Sequence, residues 1–287
     1  MWVPAVANLL LLSLGLLETI QETELDNALD SFDDQYVGCA VAMTAALPHL
    51  NLTEFQANKV YADGWPEASH KWQEHQAHQL PVGFREEHGV ALLAYTANSS
   101  PLYREFNAAV GLAGCSRGHY LQHFSFKTHF LLTEALQLLR KDQWQSGCHQ
   151  VFQGVKGLRF RTSGPRATVR LGCFASSSLS EDVAQKFGKD TFFVISTCGV
   201  PIQDYSASPW QSEVLIPPFE TFRVINASRP EQGPVRIELQ AQDKHSKYNC
   251  EYIKGEEDTP RLSTAWSLLL LLAFLAVGPF PGSPGLF

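Results

Sequence analysis

The sequence predicts an α+β fold, and two observations lead to that class. In the first half, apolar residues recur at three- and four-residue steps, the period of an amphipathic helix. After Cys148, short β-branched and aromatic runs are separated by Gly, Pro and Ser, which is typical of strands. Helices in one half and strands in the other indicate α+β rather than alternating α/β units. A length of 287 residues with 45% hydrophobic residues suffices for one sizeable core.

The N-terminus begins with an apolar run, AVANLLLLSLGLL, at residues 5–17. A membrane-spanning helix needs about 20 apolar residues, so this run is too short to span a bilayer. Its position predicts a secretory signal over residues 1–21, cleaved near Gln21. A buried N-terminal helix is the alternative.

Helical periodicity then extends through the first half of the mature chain. The first predicted helix runs from Glu22 to about Leu47, with apolar positions at Leu25, Leu29, Phe32, Tyr36, Ala40 and Met43. Pro101 begins a further helix, LYREFNAAVGLAG, that ends near glycine. The other predicted helices cover residues 53–63, 67–77 and 126–140.

The second half contains the predicted strands VFQGV, VRLGCFAS, TFFVIST, EVLIPPF, TFRVIN and VRIELQAQ. Residues 179–188, LSEDVAQKFG, interrupt them with a short helix that ends at Gly188.

The C-terminus carries a second apolar run, AWSLLLLLAFLAV, at residues 265–277. Because a polar spacer precedes this run and no basic cluster follows it, it resembles a removable GPI-attachment signal, with Gly255 as the candidate attachment residue. A transmembrane anchor is the alternative. We therefore predict a mature domain over residues 22–255 and a removed tail over residues 256–287.

Both ends place the domain outside the cell, where disulfides persist. Six cysteines allow 15 pairings, so spacing alone does not give the connectivity. No CxxC pair occurs, which argues against a zinc site. Three Asn-x-Ser/Thr sequons fit the same compartment as glycosylation sites: Asn51, Asn98 and Asn226.

Composition and motifs exclude several function classes. A net charge of −7 provides no general basic field, so nucleic acid is not a predicted partner. GxGxxG after a strand, GxxxxGK[ST], HExxH and GxSxG are all absent. His70, His75 and His78 lie in a polar segment without cysteines or paired carboxylates, and we interpret them as surface residues rather than metal ligands.

Two features leave a functional and a structural interpretation open. The stretch LRFRTSGPRATVR contains Arg159, Arg161, Arg166 and Arg170, which could bind a pyrophosphate or form the solvent face of a sheet. Glu213 stands at the start of a strand after an irregular segment, where a carboxylate is either catalytic or ordinary surface.

Five runs resemble the vertebrate arginine-specific ecto-mono-ADP-ribosyltransferases, especially their muscle-type, GPI-anchored branch. They are SFDDQYVGCAVAMTAALP, HGVALLAYTANS, FKTHFLLTEALQLL, EVLIPPFETFRVINAS and KYNCEYIK. This resemblance covers nearly the whole secreted region. It implies the ADP-ribosyltransferase fold shared with bacterial toxins, in which a helical part, here residues 22–147, packs on a two-sheet β core, here residues 148–255.

In that family the NAD site has an Arg on one strand, a Ser-x-Ser on a second and a Glu-x-Glu on a third. The first element here reads Val151, Phe152, Gln153 and Gly154, so glutamine replaces the arginine. Ser176 remains from the second element.

The third element reads Gln211, Ser212 and Glu213, so its first carboxylate is also replaced by glutamine. The resemblance implies that Glu213 stabilises the positive charge that develops as the nicotinamide bond breaks, and that position 211 orients and activates the acceptor guanidinium. We predict that positions 211 and 213 share one face of an extended chain.

The resemblance implies an enzyme that transfers ADP-ribose from NAD or NADP to arginines of surface or secreted proteins, with NAD hydrolysis as a side activity. It is expected either at the cell surface, attached to the membrane through a lipid anchor, or as a secreted protein, and it uses no metal. Because of Gln153 and Gln211, a weakened NAD glycohydrolase or a non-catalytic surface binding protein is the alternative.

The same resemblance implies the disulfides Cys39–Cys250 and Cys148–Cys198. Cys115 and Cys173 are additions to that pattern, and they either pair with each other or remain free.

Overall fold

The computed structural model describes residues 20–74, 80–97, 101–142, 147–231 and 233–257. Six helices precede Cys148 in this described part: α1 Ala40–Ala57, α2 Lys59–Glu74, α3 Glu86–Thr96, α4 Leu102–Ala113, α5 Arg117–His123 and α6 Phe126–Asp142. Two more follow, α7 Glu181–Ala184 and α8 Glu251–Glu257. The predicted signal and the apolar C-terminal run lie outside the described residues.

Ten described strands follow a mixed topology. They are β1 Gln21–Leu25, β2 His149–Val155, β3 Leu158–Thr162, β4 Thr168–Val169, β5 Ala175–Ser178, β6 Thr191–Thr197, β7 Val200–Pro201, β8 Glu213–Ile216, β9 Glu220–Ser228 and β10 Val235–Lys244. Strands β1 and β3 form a parallel two-stranded sheet. The other eight form one sheet in the order β4-β9-β10-β6-β2-β5-β8-β7, in which the β10–β6 pair is parallel and the other pairs are antiparallel.

The chain divides into two compact units, and the first ends at Cys250. Its sheet core consists of buried side chains that alternate along central strands, such as Val151, Ile195, Val214 and Ile237. Helix α8 belongs to the second unit. Within the described part of the chain, no helix combines the length and apolar character needed to cross a membrane.

The α+β class is confirmed, as are the helix after Pro101 and the helix over residues 126–140, which are α4 and α6. A short helix within residues 179–188 is also present as α7, but it ends at Ala184 rather than at the predicted Gly188. Six predicted strand runs all contain strand residues, but VRLGCFAS is split, because β4 ends at Val169 and β5 begins at Ala175.

The predicted helix from Glu22 to Leu47 is wrong over most of its length. Residues 21–25 form β1, and the chain is irregular until α1 begins at Ala40. Ala28 and Tyr36 have positive φ values of 45° and 56°, which interrupt any right-handed helix. Buried Asp34 also stabilises a turn, because its carboxylate accepts hydrogen bonds from the amides of Tyr36 at 2.7 Å and Cys250 at 2.9 Å.

The predicted boundary between the next two helices is wrong as well. Helix α1 continues through Pro48 to Ala57, and α2 begins at Lys59. Asn58 separates them because its backbone is extended, and its side chain accepts a hydrogen bond from the amide of Tyr61 at 3.1 Å.

Sequence reasoning assigned no helix to α3 or α5. Helix α3 is buried continuously from His88 to Tyr95, so its sequence lacks the polar face that reveals an amphipathic helix. Helix α5 has only seven residues.

Two disulfides join distant parts of the first unit, Cys39 to Cys250 and Cys148 to Cys198. Cys115 and Cys173 are not bridged, and Cys115 is exposed. The first bridge ties the start of α1 to the end of the first unit, and the second ties the segment before β2 to the end of β6.

Candidate functional site

A cavity of about 320 Å³ opens between the helical part and one side of the large sheet. The C-terminal end of α3 and the first turn of α4 contribute one wall, with Tyr95, Thr96, Ala97, Tyr103 and Arg104. The rest of the lining comes from strands β2 and β5, from helix α7 and the residues after it, and from the segment that leads into β8. These residues are Phe152, Gln153, Gly154, Ser176, Ser177, Ser178, Ala184, Phe187, Gln211 and Glu213. A cavity of this size lies within the range of small-molecule sites.

The five site positions predicted from the three motifs all line this one cavity: Gln153, Gly154, Ser176, Gln211 and Glu213. Sheet order explains their convergence, because β5 lies between β2 and β8. Phe152 pairs with Ser178, and Ser178 pairs with Glu213. Three motifs that are far apart in sequence therefore occupy adjacent strands.

Glu213 is the one carboxylate among the cavity-lining residues, and its side chain is almost entirely buried. The Ser206 hydroxyl donates a hydrogen bond of 2.9 Å to Glu213 Oε2. Burial raises the pKa of Glu213, and hydrogen bonds from Ser176 and Ser206 counteract that rise. Two neutral hydroxyls thus hold this carboxylate, so its charge is not cancelled by a cation.

Gln211 lines the same cavity, but the predicted extended geometry from position 211 to position 213 is wrong. Gln211 ends a 3₁₀ helix, Pro209–Gln211, and Ser212 adopts a left-handed conformation with φ 46°. The strand begins only at Glu213. The Ser178 hydroxyl donates a 2.6 Å hydrogen bond to the backbone carbonyl of Gln211, which anchors this turn against β5.

Gly154 is required by close backbone packing beside the cavity. A Cβ atom at this position would lie 2.3 Å from the carbonyl oxygen of Ala184 and 2.6 Å from that of Gly188. Any side chain would therefore displace α7 or the residues after it, which form part of the cavity wall.

The arginine-rich stretch lies elsewhere, because none of its arginines lines the cavity. Arg159 donates to the carbonyl of Gly233 at 2.8 Å, and Arg161 lies 3.6 Å from Glu22. Arg170 is buried and paired with Asp33. The arginines of this stretch therefore do not form a uniformly solvent-facing row, because Arg170 is buried.

Sequence reasoning missed four residues that complete the site: Tyr95, Tyr103, Arg104 and Ser206. The Tyr95 hydroxyl donates a 2.6 Å hydrogen bond to the carbonyl of Phe174, which fixes the end of α3 beside β5. Tyr95 lies within a run that carries the resemblance, and that is the one signal that could have marked it. No sequence signal identified Ser206 or Arg104, since both reach the site through tertiary packing.

The described residues contain no group of three or more His, Cys, Asp or Glu side chains arranged to hold a metal ion. His70 is exposed on α2, with its Nδ1 3.7 Å from Glu74 Oε1. His75 and His78 lie outside the described residues.

The three sequons occupy different environments. Asn226 is exposed on β9, whereas Asn98 lies outside the described residues. Asn51 is partly buried within α1, where its Oδ1 accepts hydrogen bonds from Tyr61 at 3.1 Å and Lys127 at 2.6 Å. Glycosylation at these positions remains a prediction.

A family model and the sequences of known proteins both identify this chain as similar to arginine ADP-ribosyltransferases. The model of the family "NAD:arginine ADP-ribosyltransferase" matches residues 25–247. The GPI-linked NAD(P)(+)--arginine ADP-ribosyltransferase 1 of the rabbit, Oryctolagus cuniculus, is 66% identical, and the alignment covers 100% of both chains. That alignment spans 328 residues whereas this chain has 287, so the rabbit protein contains residues without a counterpart here. The human protein of the same name is 60% identical, again over 100% of both chains.

Solved structures agree with the sequence comparison. A crystal structure of the eukaryotic mono-ADP-ribosyltransferase ART2.2 superposes with a TM-score of 0.69 at 38% identity, covering 80% of this chain and 99% of that one. A variant of ART2.2 solved in complex with NAD has a TM-score of 0.68 at 37% identity, with the same coverage.

Proposed function

This chain belongs to the NAD:arginine ADP-ribosyltransferase family, and from that premise we propose that its cavity binds NAD and transfers ADP-ribose to arginine side chains. The observation that carries the proposal is Glu213, a buried carboxylate that lines the cavity and is held by hydroxyls rather than by a cation. NAD is consumed as a substrate, and NADP is an alternative donor, as in the names of the relatives.

Glu213 acts on the charge that develops during the reaction. When the bond between nicotinamide and ribose breaks, its electron pair leaves with nicotinamide and positive charge accumulates on the ribose. A buried carboxylate stabilises that charge strongly, because little water is present to screen it. Ser176 and Ser206 orient the carboxylate by their hydrogen bonds.

Transfer is completed when a nitrogen of the acceptor guanidinium forms a bond to the ribose carbon and releases a proton. Gln211 lines the cavity but, being neutral, does not accept this proton. Water can attack the same carbon to give ADP-ribose and a proton, so hydrolysis of NAD accompanies transfer. We propose arginines of surface or secreted proteins as acceptors.

The enzyme acts at the cell surface. The rabbit and human relatives are named as GPI-linked, and the sequence ends with the apolar run expected of a GPI-attachment signal. We propose that the mature chain covers residues 22–255, with residues 1–21 and 256–287 removed.

A protein without catalytic activity is not favoured, although Gln153 and Gln211 both line the cavity. A protein that had lost its NAD site would have no need to keep Ser176 and Glu213 in one cavity, but both residues line the cavity here. A weakened enzyme still binds NAD and slowly releases nicotinamide, whereas a binding protein without activity releases none.

The test is release of nicotinamide from NAD by the full-length protein, with and without agmatine as an arginine analogue. We expect saturable release, together with ADP-ribosylated agmatine detected by mass spectrometry. Release without any agmatine product would indicate a glycohydrolase, and the absence of both NAD binding and release would contradict the proposal.

A further inference from the structure

Arg104 is the one cationic side chain among the residues that line the cavity, and Glu213 is the one anionic side chain. Arg104 is exposed to solvent and lies on the first turn of α4. In the part of the chain that the structure describes, its guanidinium has no ion pair and no side-chain hydrogen bond. Its donors are therefore available to a ligand.

The position of Arg104 favours an anionic ligand for a second reason. Helix α4 begins at Leu102, beside the cavity, so its positive end adds to the charge of Arg104.

No described alternative supplies this charge. The position at which the family motif has an arginine is Gln153, which lines the cavity and is neutral. Arg161 pairs with Glu22 and Arg170 pairs with Asp33, and neither lines the cavity.

We infer that Arg104 anchors the pyrophosphate of NAD in this chain, and that it has taken over the function of the arginine absent at position 153. A guanidinium presents paired donors that match phosphate oxygens, and such charge-assisted hydrogen bonds are stronger than neutral ones. This inference rests on the proposed function, because it assigns a role within the NAD site.

The experiment measures binding of ADP-ribose, which carries the pyrophosphate, to the full-length protein by calorimetry. We expect Arg104→Gln to weaken ADP-ribose binding by about tenfold or more, the effect of losing a charge-assisted hydrogen bond. Arg104→Lys should weaken it less, because the charge remains and the planar fork is lost. Inhibition by nicotinamide, which has no phosphate, should be unchanged.

Arg161→Gln is the matched control, because it removes the same charge from an exposed position outside the cavity. It should leave ADP-ribose binding unchanged. Introducing Gln153→Arg should tighten binding and reduce the effect of Arg104→Gln to roughly threefold, because two arginines would then share one anion. Melting temperatures confirm that each variant is folded.

The possible failures are distinguishable. If the natural chain binds neither NAD nor ADP-ribose, the proposed function fails, and this inference fails with it. If the natural chain binds ADP-ribose and Arg104→Gln binds it equally well, the inference alone is overturned. If the variant loses affinity only for 2′-phospho-ADP-ribose, Arg104 contacts the extra phosphate of NADP, and the pyrophosphate assignment is wrong.

Discussion

Asp33 and Glu213 are both almost completely buried carboxylates, but the regions that hold them differ in the partners they provide. Asp33 is paired with Arg170 and accepts hydrogen bonds from the backbone amides of Lys247 and Tyr248 at 2.9–3.0 Å. Glu213 has two serine hydroxyls and no cation.

Under the proposed function, the difference separates a structural carboxylate, Asp33, from a catalytic one, Glu213. Around Asp33, each partner either neutralises the negative charge or donates a hydrogen bond to it. Through these hydrogen bonds the Asp33 carboxylate joins the irregular segment before α1 to the segment after β10. Around Glu213 the described partners are hydroxyls that do not neutralise the charge, and burial raises the pKa of the carboxyl group. Substitutions in the first region should therefore affect folding, and substitutions in the second should affect activity.

The largest expected effect is on stability and comes from Arg170→Met. The change leaves Asp33 buried without its cation and removes hydrogen bonds from Arg170 to the carbonyls of Asn27 at 2.7 Å and Ala28 at 2.9 Å. Breaking a buried ion pair on one side typically costs about 3–5 kcal/mol. We expect the melting temperature to fall by roughly 10 °C, measured by calorimetry on the full-length protein.

Arg161→Met serves as the control for this prediction, since Arg161 is exposed and only loosely paired with Glu22. Its effect on stability should be below about 0.5 kcal/mol. Equal destabilisation by the two changes would mean that Arg170 contributes no more than a surface arginine.

Glu213→Gln should lower activity without lowering stability, the opposite of what is expected for Arg170→Met. The amide keeps an oxygen that can accept hydrogen bonds from Ser176 and Ser206, but it provides no negative charge to a developing cation. We expect nicotinamide release to fall by about 10²–10³-fold, as when one electrostatic element of a catalytic site is removed. The melting temperature at neutral pH should not fall.

The pH dependence provides a second check on Glu213. Because its pKa is raised in the folded protein, the folded state binds a proton more tightly than the unfolded state does. This stabilising contribution is complete at pH values below the pKa that Glu213 has in the unfolded chain. It is lost as the pH rises through the higher pKa that Glu213 has in the folded protein. Activity should rise over the same interval, as the carboxylate forms. The Gln variant should lack this part of the stability profile, and an identical profile in both proteins would contradict the assignment.

The α+β class followed from the sequence pattern, whereas the candidate site came from the family resemblance. The family resemblance assigned Gln153, Ser176 and Glu213 to one site, and the structure has all three lining one cavity because their strands are adjacent in the sheet. Residues 22–47 were misassigned because buried apolar residues such as Phe32 mimic helical spacing. Their conformation depends on hydrogen bonds to Asp33 and Asp34 from residues more than 200 positions away. Such contacts leave no local pattern.

The smallest expected effect concerns Gln211, which lies in the same cavity as Glu213. Here the test adds a charge to the region around Glu213 instead of removing one. Gln211→Glu introduces a carboxylate into the cavity that already contains Glu213. In the family pattern this position carries a glutamate, and a carboxylate there can accept the proton released by the acceptor guanidinium. We expect transfer to agmatine to rise by roughly tenfold while hydrolysis in the absence of agmatine stays similar. The gain should be smaller than that of a fully positioned general base, because like charges in one cavity raise each other's pKa.

Gln203→Glu is the matched control for this last change, because it adds the same charge to an exposed 3₁₀ helix, Gln203–Tyr205, outside the cavity. It should leave both reactions unchanged, so that a rise in transfer can be attributed to position 211 rather than to net charge. Mass spectrometry of agmatine products, together with nicotinamide release, separates the two reactions. Equal increases in transfer and hydrolysis would indicate that position 211 affects breakage of the nicotinamide bond and not the acceptor. In that case the left-handed turn at Ser212 would place residue 211 against the donor half of the site, and the division of labour between positions 211 and 213 would have to be revised.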